Sequence, residues 1–310
     1  EQTGGNWMCT GATQGSSTDL VWEENPTLSH QDIQDMVDDY LGVEQYHVLP
    51  DPLGEYIKHI DCWAKFLGPA KVLIGSVLES DPRYTDFEYV ADYFANTISD
   101  WGVPYQVIRV YTPGYFPNTP YTNSLILNKK VFVPITGSQY DANALAVYED
   151  AMPGYEVIGV MYNGWENTDA LHCRAKGIAD IEMLHIKHMP LLGNVQLQDE
   201  YEITAIITNY SGSPIYTDSV LLFYKTNGAY QQVDMVQQLG NSYKGLIPYQ
   251  DEGTQVSYYI HAADESGRST DHPLIGGYDP HDFTVVQTLP GLTVDPDTLL
   301  YTESMQAVEG

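Results

Sequence analysis

A repeated order of predicted elements constrains the fold of this chain more than any other feature of the sequence. Three S/T-x-x-D/E patterns, which are typical of helix N-termini, begin at Ser29, Thr85 and Ser138. Apolar residues follow the first two patterns at helical spacing, and the third pattern is weaker. Each predicted helix runs towards a glycine stop signal and then into a short strand that opens on tyrosine. These glycines and tyrosines are Gly42 and Tyr46, Gly102 and Tyr105, and Gly154 and Tyr155.

Two strand-like runs precede both the second and the third helix, so the predicted repeat is strand, strand, helix, strand. The runs are Cys62–Leu67 and Lys71–Leu78, then Asn123–Leu127 and Val131–Pro134. The pattern recurs about every 53 to 56 residues, and a fourth repeat is expected near Leu171 and Met183–Ile186. We therefore predict an α+β fold in which ββαβ repeats form a ring. An open α+β sandwich with unrelated capping patterns is the alternative.

The spacing of apolar residues changes at about Asn194. From there on, strand-like runs alternate with turn signals, and helical spacing disappears. The runs are Tyr201–Thr208, Ser219–Lys225, Tyr243–Ile247 and Gln255–Ala263. Asn227-Gly228 is a strong hairpin dipeptide between two of them. We therefore predict a first domain over residues 1–193 and an all-β immunoglobulin-like sandwich over 194–288. Residues 289–310 are predicted to be a linker and the first strand of a further β-domain.

The charge of the chain restricts its partners. Lys and Arg total 13 against 42 Asp and Glu, which gives a net charge of −29. Nucleic acids and anionic membranes require a basic surface, so neither is an expected partner. No run approaches the roughly 20 apolar residues of a membrane span. Such acidity suits an exported protein, and it leaves calcium as an optional structural ion although no D-x-D-x-D-G loop occurs.

Three short clusters contain residues that could carry chemistry. In His59-Ile60-Asp61, strand alternation would place the imidazole and the carboxylate on one face. In Leu171-His172-Cys173-Arg174, a flanking charge could lower the pKa of the thiol and create a nucleophile. In Tyr121-Thr122-Asn123-Ser124, the asparagine could orient an amide or a guanidinium group. Each cluster taken alone is more commonly structural.

The remaining histidines and cysteines give weaker signals. His185 and His188 lie close together in the sequence but lack further ligands, so they are expected to be structural and no metal site is predicted. Three cysteines leave at least one thiol unpaired, and a bond between Cys9 and Cys62 stays open.

The clusters gain meaning from their order along the chain. Four motifs occur in the order found in guanidine-modifying deiminases of the pentein fold. They are Gly4-Gly5-Asn6, His59-Ile60-Asp61 leading into residues 64–69, Tyr121-Thr122-Asn123 and His172-Cys173. Residues 121–134 and 171–177 most resemble the Porphyromonas-type peptidylarginine deiminases, whose small-molecule relatives are the agmatine deiminases. The resemblance covers nearly the whole chain. It implies a five-bladed ββαβ propeller followed by an immunoglobulin-like domain.

The resemblance also implies a hydrolytic chemistry without a required cofactor. Cys173 would attack the guanidinium carbon, His59 would act as general acid and base, and Asp61 would hold the guanidinium nitrogens. Asn123 would line the site. Ammonia would leave, and water would convert the thiouronium intermediate to citrulline. The substrate is then expected to be an arginine-containing peptide or protein, in a secreted or cell-surface setting.

Two alternatives stay open: an agmatine or free-arginine deiminase of the same fold, and a non-catalytic surface or assembly protein that reuses the shell. The family pattern has a second guanidinium-binding aspartate, in a Trp-x-Arg-Asp motif upstream of the Gly-Gly-Asn segment. That motif would precede Glu1, so the N-terminal blades are expected to be absent from this chain. A second chain could supply them, and these residues alone would hold an incomplete site.

Overall fold

The computed structural model describes residues 3–54, 56–114 and 117–287. Contacts divide the chain into two compact units between Ile181 and Glu182, with Gly277–Asp279 belonging to the first unit. This division falls earlier than the predicted domain start at residue 194. The segment predicted as a linker and further strand, 289–310, lies outside the described residues. Within the described residues, no helix has both the length and the apolar character needed to cross a membrane.

The first unit contains three ββαβ repeats, which confirms the predicted order of elements. The first repeat comprises β1 (Met8–Cys9), β2 (Gln14–Thr18), α1 (Leu20–Glu24), α2 (His30–Leu41) and β3 (Gln45–Leu49). The second comprises β4 (Ala64–Gly68), β5 (Lys71–Ser76), α3 (Tyr84–Ala95) and β6 (Gln106–Tyr111). The third comprises β7 (Leu125–Leu127), β8 (Lys130–Ile135), α4 (Asp141–Ala151) and β9 (Glu156–Met161).

Each repeat forms its own three-stranded sheet with one topology. The first two strands pair antiparallel, and the strand after the helix runs parallel to the second strand. A parallel pair needs a long crossover connection, and the helix supplies it. The expected fourth repeat near Met183–Ile186 is wrong, because β10 (Leu184–Lys187) pairs with a strand of the second unit.

The capping pattern marks one of the three helices correctly. Ser29 forms a reciprocal capping box with Asp32, and α2 ends at Gly42 in the left-handed conformation. Helix α3 begins at Tyr84, so Thr85 already lies inside its first turn and forms no cap. Helix α4 begins at Asp141 with no side-chain cap, so the box predicted at Ser138 is also wrong.

The helices cover their sheets with apolar side chains, and this packing fixes the loops before β4 and β7. Phe87, Val90 and Phe94 of α3 share one buried cluster with Phe66 of β4. A second buried cluster contains side chains of α4 and β8. Burying each of these large side chains stabilises the fold by about 1.5–3 kcal/mol.

The second unit is built from two sheets that share one buried core. The first sheet has the order β10, β12, β16, β15, where β12 is Glu200–Asn209, β15 is Val236–Gln237 and β16 is Ser242–Pro248. The second has the order β11, β19, β17, β13, β14, with β18 paired to β17. Its strands are β11 (Gly193–Gln196), β13 (Leu221–Lys225), β14 (Gln231–Asp234), β17 (Gln255–Ala263), β18 (Ser269–His272) and β19 (His281–Val286).

The four strands predicted from Asn194 onwards are confirmed as β12, β13, β16 and β17. The Asn227-Gly228 turn joins β13 to β14, and Gly228 has a positive φ of 68°. β12 shows why alternation works here, since every second side chain from Tyr201 to Ile207 is buried. The immunoglobulin-like assignment of this two-sheet unit stays a prediction.

Candidate active site

Three of the predicted site residues meet at one point in the first unit. The Cys173 Sγ lies 3.4 Å from the Asp61 Oδ2 and 3.1 Å from the Asn123 Nδ2. The Asp61 and Asn123 side chains are almost fully buried, whereas Cys173 is half-buried. The arrangement therefore combines a thiol, a carboxylate and an amide in one partly enclosed space.

Asp61 lies in a tight turn rather than on a strand, so the predicted strand geometry of His59-Ile60-Asp61 is wrong. Residues Ile60–Cys62 form a single 3-10 turn directly before β4. The turn buries Ile60 completely in the apolar core, and its amide N–H donates to the Asn6 Oδ1 at 3.3 Å. Burial of one apolar side chain thus bends the chain where alternation alone would extend it.

His59 and Asp61 still converge, and Gly5 makes this convergence possible. A Cβ atom on Gly5 would lie 2.4 Å from the His59 Nδ1 and 3.1 Å from the Asp61 Oδ2. Only a residue without a side chain fits there. Burial lowers the pKa of His59, and the charge of Asp61 partly opposes this effect.

Asn123 connects the two segments that carry Asp61 and Cys173. It lies in the turn before β7 rather than on the strand predicted for Asn123–Leu127. Its Oδ1 accepts from the backbone N–H groups of His172 and Cys173 at 2.9 and 3.3 Å. On one side of this turn, the Tyr148 hydroxyl of α4 donates to the Tyr121 carbonyl at 2.7 Å. Helix packing therefore holds the asparagine in place.

The thiol of Cys173 has an environment that favours its protonated form. Burial raises the pKa of Cys173 to about 11, and the negative charge of Asp61 adds to this effect. The hydrogen bond from Asn123 acts in the opposite direction but is weaker. The expectation that a flanking charge lowers this pKa is wrong here. The Arg174 guanidinium is instead held by Asp169, with an Nε–Oδ1 distance of 2.9 Å.

Two contacts at this site had not been singled out from the sequence. The His172 Nδ1 lies 2.7 Å from the Asp61 Oδ2, and the Thr122 hydroxyl donates to the Asp61 carbonyl at 3.1 Å. Both residues stand next to predicted site residues, which is the only local signal that they carry. Their shared partner, Asp61, lies 61 residues before Thr122 and 111 residues before His172.

The other candidates lie apart from this cluster or form no metal site. His185 is on β10 and His188 follows it, both in the second unit. In the part of the chain that the structure describes, no group of three His, Cys, Asp or Glu side chains is placed to hold a metal ion. Cys9 is exposed, Cys62 is buried, and both are free thiols.

Repeats of two strands, a helix and a strand, with a cysteine, an aspartate and an asparagine in contact between them, are the arrangement of a guanidine-modifying deiminase. The model of one family, described as Porphyromonas-type peptidyl-arginine deiminase, matches residues 10–178, more than half of the 310 residues. The chain belongs to this family.

Individual relatives match about half of this chain. A Vibrio parahaemolyticus protein provisionally named an agmatine deiminase is 26% identical over 181 residues, which cover 48% of this chain and 50% of the relative. A Shewanella baltica protein with the same provisional name is 28% identical over 162 residues, 44% of each chain. The crystal structure of a provisionally named arginine deiminase from Porphyromonas gingivalis aligns with a TM-score of 0.49 at 27% identity, covering 55% of this chain and 54% of that one. The chain spans about half the length of the curated relatives it matches.

Proposed function

We propose that this site hydrolyses the guanidinium group of peptidyl arginine to citrulline, with release of ammonia. The observation that carries the proposal is the contact of the Cys173 thiol with the Asp61 carboxylate and the Asn123 amide. A guanidinium carbon is a poor electrophile because its positive charge is delocalised. A reaction at that carbon therefore needs a carboxylate that fixes the cation and a sulfur nucleophile beside it.

The electrostatics supports activation of the thiol by the substrate itself. Asp61 raises the pKa of Cys173 while its charge is unneutralised. A guanidinium bound to Asp61 places a positive charge beside the sulfur, which favours the thiolate. His59 has a lowered pKa, so it is neutral near pH 7, and it is the base that we propose for the thiol proton.

The proposed reaction has two halves, joined by a covalent intermediate on Cys173. The Cys173 thiolate attacks the guanidinium carbon and forms a C–S bond. His59 returns its proton to one nitrogen, the C–N bond breaks, and ammonia leaves a thiouronium on Cys173. Water, deprotonated by His59, adds to the same carbon, and the C–S bond breaks with its electron pair on sulfur. Cys173 takes the proton back from His59, and the ureido product leaves after losing its hydroxyl proton to solvent. Asn123 donates to the Cys173 sulfur, which helps to hold it in line.

Peptidyl arginine is proposed over agmatine because the matching family model carries that description. Agmatine remains the second candidate, since several relatives are provisionally named for it. The charge of −29 would favour the approach of any cationic substrate. We further propose that the protein is exported, because its acidity suits an extracellular setting.

Product analysis of the full-length protein tests this proposal. Incubation with a peptide ending in arginine, with agmatine and with free arginine is followed by ammonia and ureido-product detection. We expect product from the peptide, and its loss in Cys173→Ala but not in Cys9→Ser, which removes the exposed thiol instead. Turnover of agmatine alone would favour the second candidate. No product from any substrate with a reduced, folded protein would refute the enzymatic function.

A further inference from the structure

The His172 side chain lies at the site, but its contact has no part in the reaction proposed above. Its Nδ1 lies 2.7 Å from the Asp61 Oδ2, and its side chain is 23% exposed against 1% for Asp61. Its backbone N–H donates to the Asn123 carbonyl at 3.1 Å and to the Asn123 Oδ1 at 2.9 Å. His172 is therefore tied by its backbone to one site residue and by its ring to another.

His172 and Cys173 contact the same oxygen of Asp61. The Asp61 Oδ2 faces both the His172 Nδ1 and the Cys173 Sγ, at 2.7 and 3.4 Å. A carboxylate oxygen accepts through two lone-pair directions. A donor at one of them leaves the other directed at the nucleophile, where a guanidinium N–H has to bind.

The second carboxylate oxygen is too weakly held to set the orientation of the group. The Cys62 Sγ lies 3.6 Å from the Asp61 Oδ1, and a thiol is a poor donor. The terminal torsion of an aspartate is broad and has no sharp staggered minimum. A strong N–H donor on Oδ2 is therefore what fixes the plane of the carboxylate.

We propose that His172 is a positioning residue, whose Nδ1–H donation orients the Asp61 carboxylate towards the guanidinium group and the Cys173 sulfur. This proposal rests on the proposed function, because it assigns to Asp61 the task of holding the substrate cation. It distinguishes His172 from its neighbour Cys173, which touches the reacting carbon.

Two substitutions of similar size distinguish the effect of the hydrogen-bond donor from the effect of side-chain volume. In His172→Asn the amide nitrogen stands at the same number of bonds from the Cα as Nδ1, so it can donate to Oδ2. In His172→Gln the amide is one bond further out and misses that position. Hydrogen bonds to charged groups contribute about 1.5–3 kcal/mol. We therefore expect His172→Gln to lower kcat/KM about 10- to 100-fold, and His172→Asn to recover most of this loss.

A second readout does not depend on turnover. The rate of Cys173 alkylation by iodoacetamide is followed against pH by mass spectrometry, in His172→Gln, in Asp61→Asn and in the double variant. Loss of the donor leaves the Asp61 charge less compensated, so His172→Gln should shift the midpoint upward by about 0.5–1 pH unit. The same substitution in the Asp61→Asn background should have no further effect, because the two residues act through one contact.

The outcomes are distinct. Coupled alkylation shifts together with recovery by His172→Asn would support the positioning role. Additive shifts, or equal losses in His172→Asn and His172→Gln at unchanged melting temperature, would overturn it. A wild-type protein without turnover on any substrate would refute the proposed function. The alkylation cycle would then still decide whether His172 acts on the thiol through Asp61.

Discussion

The Asp61 carboxylate and the Cys173 thiol lie 3.4 Å apart although 112 residues separate them in the sequence. In the absence of a cation, the negative carboxylate disfavours the thiolate, since it raises the pKa of the thiol. When a bound guanidinium neutralises the carboxylate, this unfavourable effect on the thiolate is removed. This relationship makes the reactivity of the nucleophile dependent on the charge of its substrate.

Removal of the Asp61 charge should affect reactivity and turnover in opposite directions. In Asp61→Asn the thiol loses a negative neighbour, so its pKa should fall and its alkylation by iodoacetamide at pH 8 should become faster. The same change removes the guanidinium partner, and kcat/KM should fall by at least about 100-fold. Asp150→Asn, an exposed position on α4, is the matched control and should change neither quantity. Slower alkylation in Asp61→Asn would contradict the account.

The absence of a side chain at Gly5 should be essential to the site. A Cβ there would lie 2.4 Å from the His59 Nδ1, so Gly5→Ala must displace the imidazole. We expect a loss of kcat/KM of about 100-fold, since a shift of about 1 Å suffices for that. Gly4→Ala is the control, because nothing lies within 4 Å of its added Cβ. Equal activity of the two variants would show that His59 is not held against Gly5.

The amide of Asn123 should contribute to stability as well as to activity. It is fully buried and joins the Cys173 segment to the turn that carries Asp61. Asn123→Ala removes the side-chain acceptor of the Cys173 N–H and one of the two acceptors of the His172 N–H, at a cost of about 1–3 kcal/mol in the free energy of unfolding. Urea denaturation measures this cost, with the exposed helical Asn143→Ala as control. A change below about 0.5 kcal/mol would contradict the structural role.

Three packed histidines should make the second unit sensitive to acid. The His272 Nδ1 and the His281 Nε2 are 3.0 Å apart, and the His188 ring lies 5.5 and 5.6 Å from the centres of theirs. Burial lowers the pKa of His188 to about 4 and that of His272 to about 3, and it also lowers the pKa of His281. The His188 ring also bonds the Thr204 carbonyl and the Tyr258 hydroxyl. The folded unit therefore keeps all three rings neutral.

The sign of the pH dependence follows from these shifts. Histidines of the unfolded chain titrate near 6.5, so below that pH the unfolded state binds protons that the folded state refuses. Stability is full above pH 6.5 and should fall between pH 6.5 and about 4, by at most about 1.4 kcal/mol per pH unit for each histidine. Hydrogen exchange of the β12 and β16 amides, followed against pH, measures this loss of stability. His281→Phe should flatten the slope, exposed His30→Gln should not, and a flat wild-type profile would contradict the prediction.

Elements with a local periodic signal were predictable. Val90 and Phe94 repeat at helical spacing and bury one face of α3, while Tyr201 and Ile203 alternate along β12. Strand β2 escaped prediction because its five buried residues are Gln, Gly, Ser, Ser and Thr, which carry no apolar alternation. Strand β10 was assigned to the wrong sheet, since its apolar run does not encode its partner β12.

The site was predictable only as a set of residues, through their resemblance to a family. The sequence order of Asp61, Asn123 and Cys173 indicates their chemistry, but no local pattern places them within 3.5 Å of one another. The turn at Ile60–Cys62 depends on burial of Ile60 and on a bond to Asn6, 54 residues away. The partner of His172 is likewise set by tertiary packing. Contacts of this kind are decided by the whole fold, which is why the geometry of the site was not predicted.

Trapping of the covalent intermediate tests whether Cys173 is the nucleophile. The full-length protein is mixed with a peptide ending in arginine, quenched in acid and digested, and the peptide that contains Cys173 is examined by mass spectrometry. We expect an adduct equal to the substrate minus ammonia on Cys173, absent in Cys173→Ala and unaffected by Cys9→Ser. Ureido product formed without an adduct on Cys173, and undiminished in Cys173→Ala, would contradict it.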